Sequence, residues 1–472
     1  MITPAQENQR MLARILGIDE DRAALQLAQT FAITAGQDEP THFANELQAQ
    51  LERTVRAAPA DASSDIEIVI HAPPIRTAKK RLFVEISSDR VVISSSPLEN
   101  AAAAPLHGIQ RMIAACYCAG VVLAALIDGI DKEAVTDPFT VRFDALGATK
   151  DVLATPIALE DTVLVGAGAV GNGFLRAARH LDIFGELVVA DPKVVGSGNP
   201  NRCLYFTPDD EKEPKAPTLT MRAQSDFPRL KLLPHVGTLH DIVEQQGRIR
   251  RVIVGADSRL ARRSVQNDLP FEVLDASTTG TAEIIVHSHR EPNRGACLSC
   301  IYPHIPDELS RAREIAAGLG LELSDVTESE RIDARIAKVL AAKHSGLDEA
   351  ALVGVAFDSL FKQLCAEQTL LSATGEQTLA PFAFVSNLAG AMLALELARL
   401  KSGARIADGK NYMFLSPWSP PHSFTRRMRP PIHDCEFCGR DTSHDALAIV
   451  WPELKTGTLP RIASNKQQGD GR

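Results

Sequence analysis

Residues 163–171 read VLVGAGAVG, an apolar strand running into Gly166, Gly168 and Gly171 at Gly-x-Gly-x-x-Gly spacing. Such glycines let backbone N–H groups approach a phosphate at a helix N-terminus. The turn alone is a weak signal, and its value comes from the residues downstream of it. Asp191 lies twenty residues past Gly171, at the end of a second apolar strand, 186–190. A carboxylate there accepts from a ribose hydroxyl in dinucleotide and adenine-nucleotide enzymes alike, or simply closes a strand-end turn. Asn199 and Arg202 follow in VGSGNPNRCLYF, with Lys215 thirteen residues beyond. Arg offers a planar donor fork and Lys a movable point charge, so together they can neutralise the charge that builds when a carboxylate attacks an α-phosphate. Asp257, in VIVGADSRLARR, ends another apolar strand. It reads either as an ordinary helix N-cap or, beside ATP, as a ligand for Mg²⁺.

Cys297 and Cys300 (GACLSCIYP) and Cys435 and Cys438 (DCEFCGR) are the most specific local pattern. Each pair offers two thiolates on a tight turn, and four of them complete a tetrahedral Zn²⁺ shell with no open position, hence a structural site. The metal would staple two segments across 134 intervening residues. Cys116 and Cys118 sit in an apolar run and read as core residues.

These residues need a frame to converge on. From about 161 to 288 strands and helices alternate: strands 162–165, 187–190, 231–233, 251–255 and 273–275, with helices at 171–181, 218–226, 239–247 and 260–267. That alternation predicts an α/β fold with a doubly wound, mostly parallel, Rossmann-like sheet, placing Gly166, Asp191 and Asp257 on its ligand-binding carboxyl edge. Residues 303–364 read as a helical insertion, 381–400 as an apolar helix packing on the sheet, and the tail after Asp441 as polar and frayed. Residues 1–150 read as a smaller α+β domain: helical over 3–56, a polar linker at 58–64, strands at 66–71, 82–87 and 91–95 with Ser88-Asp89-Arg90 as the turn between the last two, and a covering helix at 109–127. This domain carries no chemical motif, which leaves it a packing or docking role. The division is thus 1–150, 151–440 and a polar tail, 441–472.

A chain of 472 residues, 45% hydrophobic, can bury a core in each domain. Its net charge of −9 argues against a nucleic-acid surface as its main business. The apolar run 112–127 is shorter than the roughly 18 to 20 residues of a bilayer span, and the N-terminus lacks the apolar centre of a signal peptide. The reading is a cytoplasmic protein with neither a nucleic-acid nor a membrane partner.

With the glycine turn, Asp191, Asn199-x-x-Arg202, Lys215, Asp257 and the split cysteine site in this order, residues 161–440 resemble the ubiquitin-activating enzyme family, including its bacterial ThiF and MoeB members. The resemblance implies an enzyme that binds ATP and Mg²⁺, activates the C-terminal carboxylate of a ubiquitin-like protein as an acyl-adenylate and releases pyrophosphate. It assigns Asp191 to the ribose, Asn199 and Arg202 to the phosphates, Lys215 to the β/γ region and Asp257 to the metal ion. Two departures stand out: Pro200 where the family usually has Leu, and Cys203 where it has Gln. Dimeric members also borrow an N-terminal arginine from a second adenylation domain, and that residue has no assignment here. Residues 1–150 then read as a degenerate partner domain or a substrate clamp.

Related enzymes that form a thioester place a cysteine before the last apolar helix, and Cys365 fits that position, with Cys203 as second candidate. A buried helix cysteine is the alternative for Cys365. The expectation is a homodimeric or domain-paired activating enzyme that passes its modifier to a conjugating enzyme, in a pathway of sulfur transfer or of ubiquitin-like conjugation such as antiviral defence uses. Adenylation of a small peptide or sulfur carrier without a thioester, and a nicotinamide-dependent oxidoreductase, are the rivals; the latter leaves Arg202, Lys215, Asp257 and the cysteine pairs without a joint purpose.

Overall fold

The computed structural model describes residues 4–99, 102–130, 135–279, 282–293, 295–303, 309–328, 331–344, 347–357, 360–361, 382–433 and 435–454. The chain opens with α1 (Pro4–Leu16) and α2 (Glu20–Leu27) and then departs from the all-helical reading of 3–56. Thr30–Ala35 is a strand, β1, because its aromatic and β-branched residues Phe31 and Ile33 fit a pleated surface better than a helix. Helix α3 (Glu39–Leu51) follows, then β2 (Arg56–Ala57), β3 (Ser64–Ile70), β4 (Ala78–Ile86), β5 (Arg90–Ser94), helix α4 (Gly108–Leu126) and β6 (Phe139–Arg142). These strands form one sheet in the order β2-β1-β3-β4-β5-β6. The polar stretch 58–64 therefore joins two strands of a single sheet. The turn at Ser88-Asp89-Arg90 is present, closed by the Ser87 N–H donating to Arg90 O at 2.9 Å.

The second sheet contains β7 (Ile157–Leu159), β8 (Thr162–Val165), β9 (Ile183–Ala190), β10 (Leu230–His235), β11 (Arg251–Val254), β12 (Glu272–Thr279), β13 (Glu283–Arg290), β14 (Tyr412–Leu415) and β15 (Arg426–Arg427). Its order is β10-β9-β8-β11-β12-β13-β14-β15, with β7 against β9. Strands β7 to β12 pair in parallel, and register aligns Val165 with Ala190 and Val254, and Val254 with Asp275. The loops bearing Gly166, Asp191 and Asp257 therefore leave one common edge, as the alternation predicts. Strands β13 to β15 add an antiparallel flank that the sequence pattern did not reveal. One of its strands, β14, pairs with β13 only after more than a hundred intervening residues.

Helices α5 (Ala169–Ala178), α6 (Lys215–Ala223), α7 (Leu239–Gln246) and α8 (Arg259–Asn267) connect the parallel strands. In the insertion, α9 (Ser310–Leu319) and α10 (Ala334–Lys343) gather a small core of their own around Leu319, Ile336, Leu340 and Phe357. Helix α11 (Ala383–Lys401) then crosses α5 with backbones touching: a Cβ on Gly390 would lie 2.3 Å from the Gly173 carbonyl carbon. Helix α4 packs on the same α11, and one continuous apolar core runs from α1 through both sheets. Cys116 and Cys118 are both fully buried in it, because α4 is covered all round.

Helices α4 and α11, each 19 residues long, are long and apolar enough to cross a membrane, correcting the shorter run read at 112–127. Both are enclosed by protein, 89% and 100% buried over their most apolar windows. The first part of the tail departs from its frayed reading: α12 (Asp441–Val450) is helical, and Trp451 behind it is buried edge-on against Phe271, its Nε1–H donating to Leu269 O at 2.8 Å, while residues 455–472 lie outside the described residues.

Candidate active site and metal centre

Gly166 adopts φ +100°, and a Cβ there would meet Ala256 N at 2.8 Å. A Cβ on Gly171 would lie 2.1 Å from Gly166 O, so the turn closes only with hydrogen at both positions. Gly168, which precedes α5, has nothing within 4 Å of its Cβ direction. The Cβ side of Gly168 is thus open where α5 begins, which leaves room for a phosphate to approach the helix N-terminus. Buried Asn172, which the sequence reading missed, fixes the turn by donating from Nδ2 to Ala167 O and Gly168 O, both at 3.0 Å.

Asp191 is 5% exposed. Its Oδ2 accepts from Ala167 N at 2.8 Å and its Oδ1 from Lys193 N at 2.7 Å. The carboxylate therefore does shape the turn, and with about four acceptor positions it keeps capacity for a hydroxyl donor. Asn199 Oδ1 accepts from Gly196 N at 2.8 Å and so shapes its own loop. Arg202 pairs with Glu7 of α1 at 3.0 Å and also donates to Gly198 O. Burial works against its charge, yet Glu7, Cys203 and Asp257 together hold its pKa above the ordinary arginine value.

Lys215 opens α6, 8% exposed, its N–H donating to Lys193 O at 2.9 Å. Its ammonium has no hydrogen bond or ion pair among the described residues. Asp257 is exposed and pairs through both oxygens with Lys193 Nζ at 3.0 Å. The N-cap reading of Asp257 does not hold: Ser258 caps α8, its Oγ accepting from Ala261 N at 3.0 Å. Lys193, two residues past Asp191, belongs to the site and was passed over because a lone Lys carries no spacing signal.

Cys203 feels the charges of Arg202, Lys215 and Arg53, so all three lie near its thiol. It is fully buried, and burial raises its thiol to about 11, which makes it a poor nucleophile in this arrangement. Cys365 lies outside the described residues.

The N-terminal part clamps this same loop. Arg53 donates to Pro200 O and, at 3.3 Å, to Leu204 O. Asn201 Nδ2 donates to Asn8 Oδ1 at 3.1 Å. Pairings between residues so far apart along the chain leave no trace in local sequence.

The four predicted metal-ligating cysteines come together, every sulfur within 4.8 Å of the others. Cys297 Sγ lies 3.7 Å from that of Cys300 and 3.6 Å from that of Cys435, and Cys300 Sγ lies 3.4 Å from that of Cys438. A tetrahedron with Zn–S bonds of about 2.3 Å has edges of about 3.8 Å, so the set fits zinc. Ile432 N–H donates to Cys300 Sγ at 3.5 Å, orienting that ligand.

Residues 157–437 match the ThiF family, and residues 1–149 match the E1 N-terminal domain. The chain belongs to the ThiF family. Membership supports adenylation chemistry, with ATP and Mg²⁺ as the family's nucleotide and ion. This ThiF-family chain is 28% identical over 268 residues to the uncharacterized protein y4jF of Sinorhizobium fredii (strain NBRC 101917 / NGR234), covering 52% of this chain and 50% of that one. It is 28% identical over 149 residues to the ubiquitin-activating enzyme E1-like protein of Saccharomyces cerevisiae, covering 30% and 23%. It thus spans half or less of the length of these curated relatives. Among solved structures it is similar to E. coli tRNA N6-threonylcarbamoyladenosine dehydratase, TcdA, at 17% identity and TM-score 0.27, covering 56% of this chain and 93% of that one. Similarity to selenomethionine PaaA is 16% with TM-score 0.24, covering 37% and 50%. Both scores are too low to carry the fold, which rests on the observed strand order.

Proposed function

We propose that this ThiF-family chain adenylates the C-terminal carboxylate of a ubiquitin-like protein. The supporting observation is Lys215: a residue 8% exposed whose ammonium has no hydrogen bond or ion pair among the described residues, near the same Cys203 thiol as Arg202 and on the edge that carries the glycine turn. An ammonium with no protein anion paired to it can take a phosphate oxygen as its partner, and the glycine turn that opens α5 on the same sheet edge suits the same phosphate chain.

In this reading a substrate carboxylate oxygen attacks the α-phosphorus of ATP. The acyl–phosphate bond forms, the bond to the β-phosphate oxygen breaks, and pyrophosphate leaves with the electron pair. Arg202 and Lys215 hold the phosphate oxygens and offset the charge that develops. Asp191 orients the ribose while its backbone donors keep the turn rigid, and Asp257, here paired with Lys193, would hold Mg²⁺. Bound there, the ion would supply Lewis-acid charge compensation on the phosphates. The Cys365 thiolate then attacks the acyl carbon, the bond to the AMP phosphate oxygen breaks and AMP leaves with the electron pair. The resulting thioester passes the modifier to the thiol of a conjugating enzyme, the chain acting as a homodimer in the cytoplasm with residues 1–150 as docking domain. Adenylation of a peptide or sulfur carrier with no thioester is the competing outcome.

ATP–pyrophosphate exchange with candidate modifiers tests the first step. Lys215→Ala should weaken ATP binding about 10- to 100-fold, the scale of one charge-assisted contact of about 1.5–3 kcal/mol, and Asp257→Ala should abolish exchange. Exchange that persists in both variants sinks the proposal. A reductant-sensitive adduct lost in Cys365→Ala supports the thioester, and its absence alongside normal exchange assigns the peptide alternative.

A further inference from the structure

Helix α8 begins one residue after Ser258, and therefore directly behind Asp257, and four of its side chains lead toward the cysteine centre. Arg263 grips Glu436, which stands between Cys435 and Cys438, with Nε 2.9 Å and Nη2 2.6 Å from the same Oε1. Gln266, fully buried, accepts from Leu298 N at 3.0 Å through Oε1, inside the turn between Cys297 and Cys300. Arg259 donates to Pro303 O at 3.1 Å, just past that turn.

The fourth is Arg262, 3% exposed. Its Nη2 donates to Ala256 O, next to Asp257, and to Ala276 O at 2.8 Å. Its Nε lies 3.4 Å from Asp275 Oδ1. The hydroxyl of Tyr302, two residues after Cys300, donates to Asp275 Oδ2 at 2.5 Å. Both cysteine turns are thus tied by side chains to the helix whose N-terminal loop carries Asp257. A structural metal site needs no such set of ties for its own closure, since four thiolates suffice.

We propose that the four-cysteine centre sets the position of Asp257 through α8, and that Arg262, Arg263 and Gln266 are positioning residues for the adenylation proposed for this chain, on which this inference rests. A shift of Asp257 by a fraction of an ångström changes how well one carboxylate meets a divalent ion, while the glycine turn and Asp191 have hydrogen bonds of their own, from Asn172 Nδ2 and from Ala167 N. The effect therefore falls on magnesium dependence and spares magnesium-free nucleotide binding.

The test is calorimetric titration of ATP into the full chain at stepped Mg²⁺ concentrations, with zinc content measured on the same samples, for the parent, Arg263→Gln and Tyr302→Phe. The expected result is zinc retained at the parent level, magnesium-free ATP affinity within about twofold of the parent, and the Mg²⁺ concentration for half-maximal enhancement raised about tenfold. Should Arg263→Gln shed zinc, Tyr302→Phe, which removes a single oxygen, decides alone. Unchanged magnesium dependence in the zinc-loaded variants overturns the positioning role. A parent without magnesium-dependent ATP binding overturns the adenylation reading, and this inference falls with it.

Discussion

Gly168 and Gly171 are identical in chemistry and opposite in constraint. A methyl on Gly171 meets a carbonyl oxygen at 2.1 Å, whereas one on Gly168 meets nothing within 4 Å. Gly171→Ala should therefore lose at least about 1–3 kcal/mol of stability, the usual cost of forcing atoms into a closed space, read as a lower denaturant midpoint. Gly168→Ala should leave stability within about 0.5 kcal/mol of the parent but weaken ATP binding, because its methyl intrudes where the phosphate would approach. If both variants bind ATP like the parent, the turn is not a phosphate cradle. At this scale the sequence was informative wherever a residue type is demanded by geometry. The glycines, Asp191 and the cysteine pairs were all legible, since spacing encodes their local shape. Lys193 and Asn172 were not, because a lysine or an asparagine declares its role only through the partner it meets.

Helix α1 supplies the most consequential partner that spacing could not announce. Its Glu7 carboxylate occupies the Arg202 guanidinium, and both side chains are partly open to solvent, 29% and 21% exposed. A phosphate reaching Arg202 must compete with that carboxylate. Glu7→Gln should then tighten ATP binding about two- to fivefold, in keeping with the ~0.2–1 kcal/mol of such half-exposed pairs, with a steeper dependence on added salt because the site loses a negative charge. Weaker binding in Glu7→Gln would show instead that Glu7 holds Arg202 in its working position. The strands and helices of the parallel half were readable from period and apolar runs, to within a few residues. Strand β1 was hidden inside a helical-looking stretch, and β14 was hidden by brevity: a short strand whose partner lies beyond an insertion.

The two parts of the molecule share one core, and a titratable group sits on their seam. The ring of His180, just behind α5, packs against Gly108 at the start of α4. Burial first, and then the neighbouring Arg179 charge, lower its pKa to about 4. Protonation therefore favours the unfolded chain, where histidine titrates near ~6.5. The stability gained by keeping His180 neutral is complete above about pH 6.5 and is lost as pH falls toward about 4. Urea midpoints compared at about pH 7.5 and about pH 5 should fall more steeply in the parent than in His180→Gln. Equal slopes would remove His180 from the acid sensitivity of this seam. That the halves dock at all was outside the reach of sequence, because interdomain packing of α4 on α11 leaves no pattern different from that of any buried helix.

The partners in the cysteine centre are 138 positions apart along the chain. During synthesis at roughly 5–20 residues per second, Cys297 and Cys300 leave the ribosome about 7 to 30 s before their counterparts exist. Through that interval two adjacent thiols stand as an incomplete chelate, open to oxidation or to a wrong ion. The finished molecule locks only once its final knuckle has emerged, so a chain truncated before residue 435 keeps Asp191, Arg202, Lys215 and Asp257 yet lacks half of its clasp.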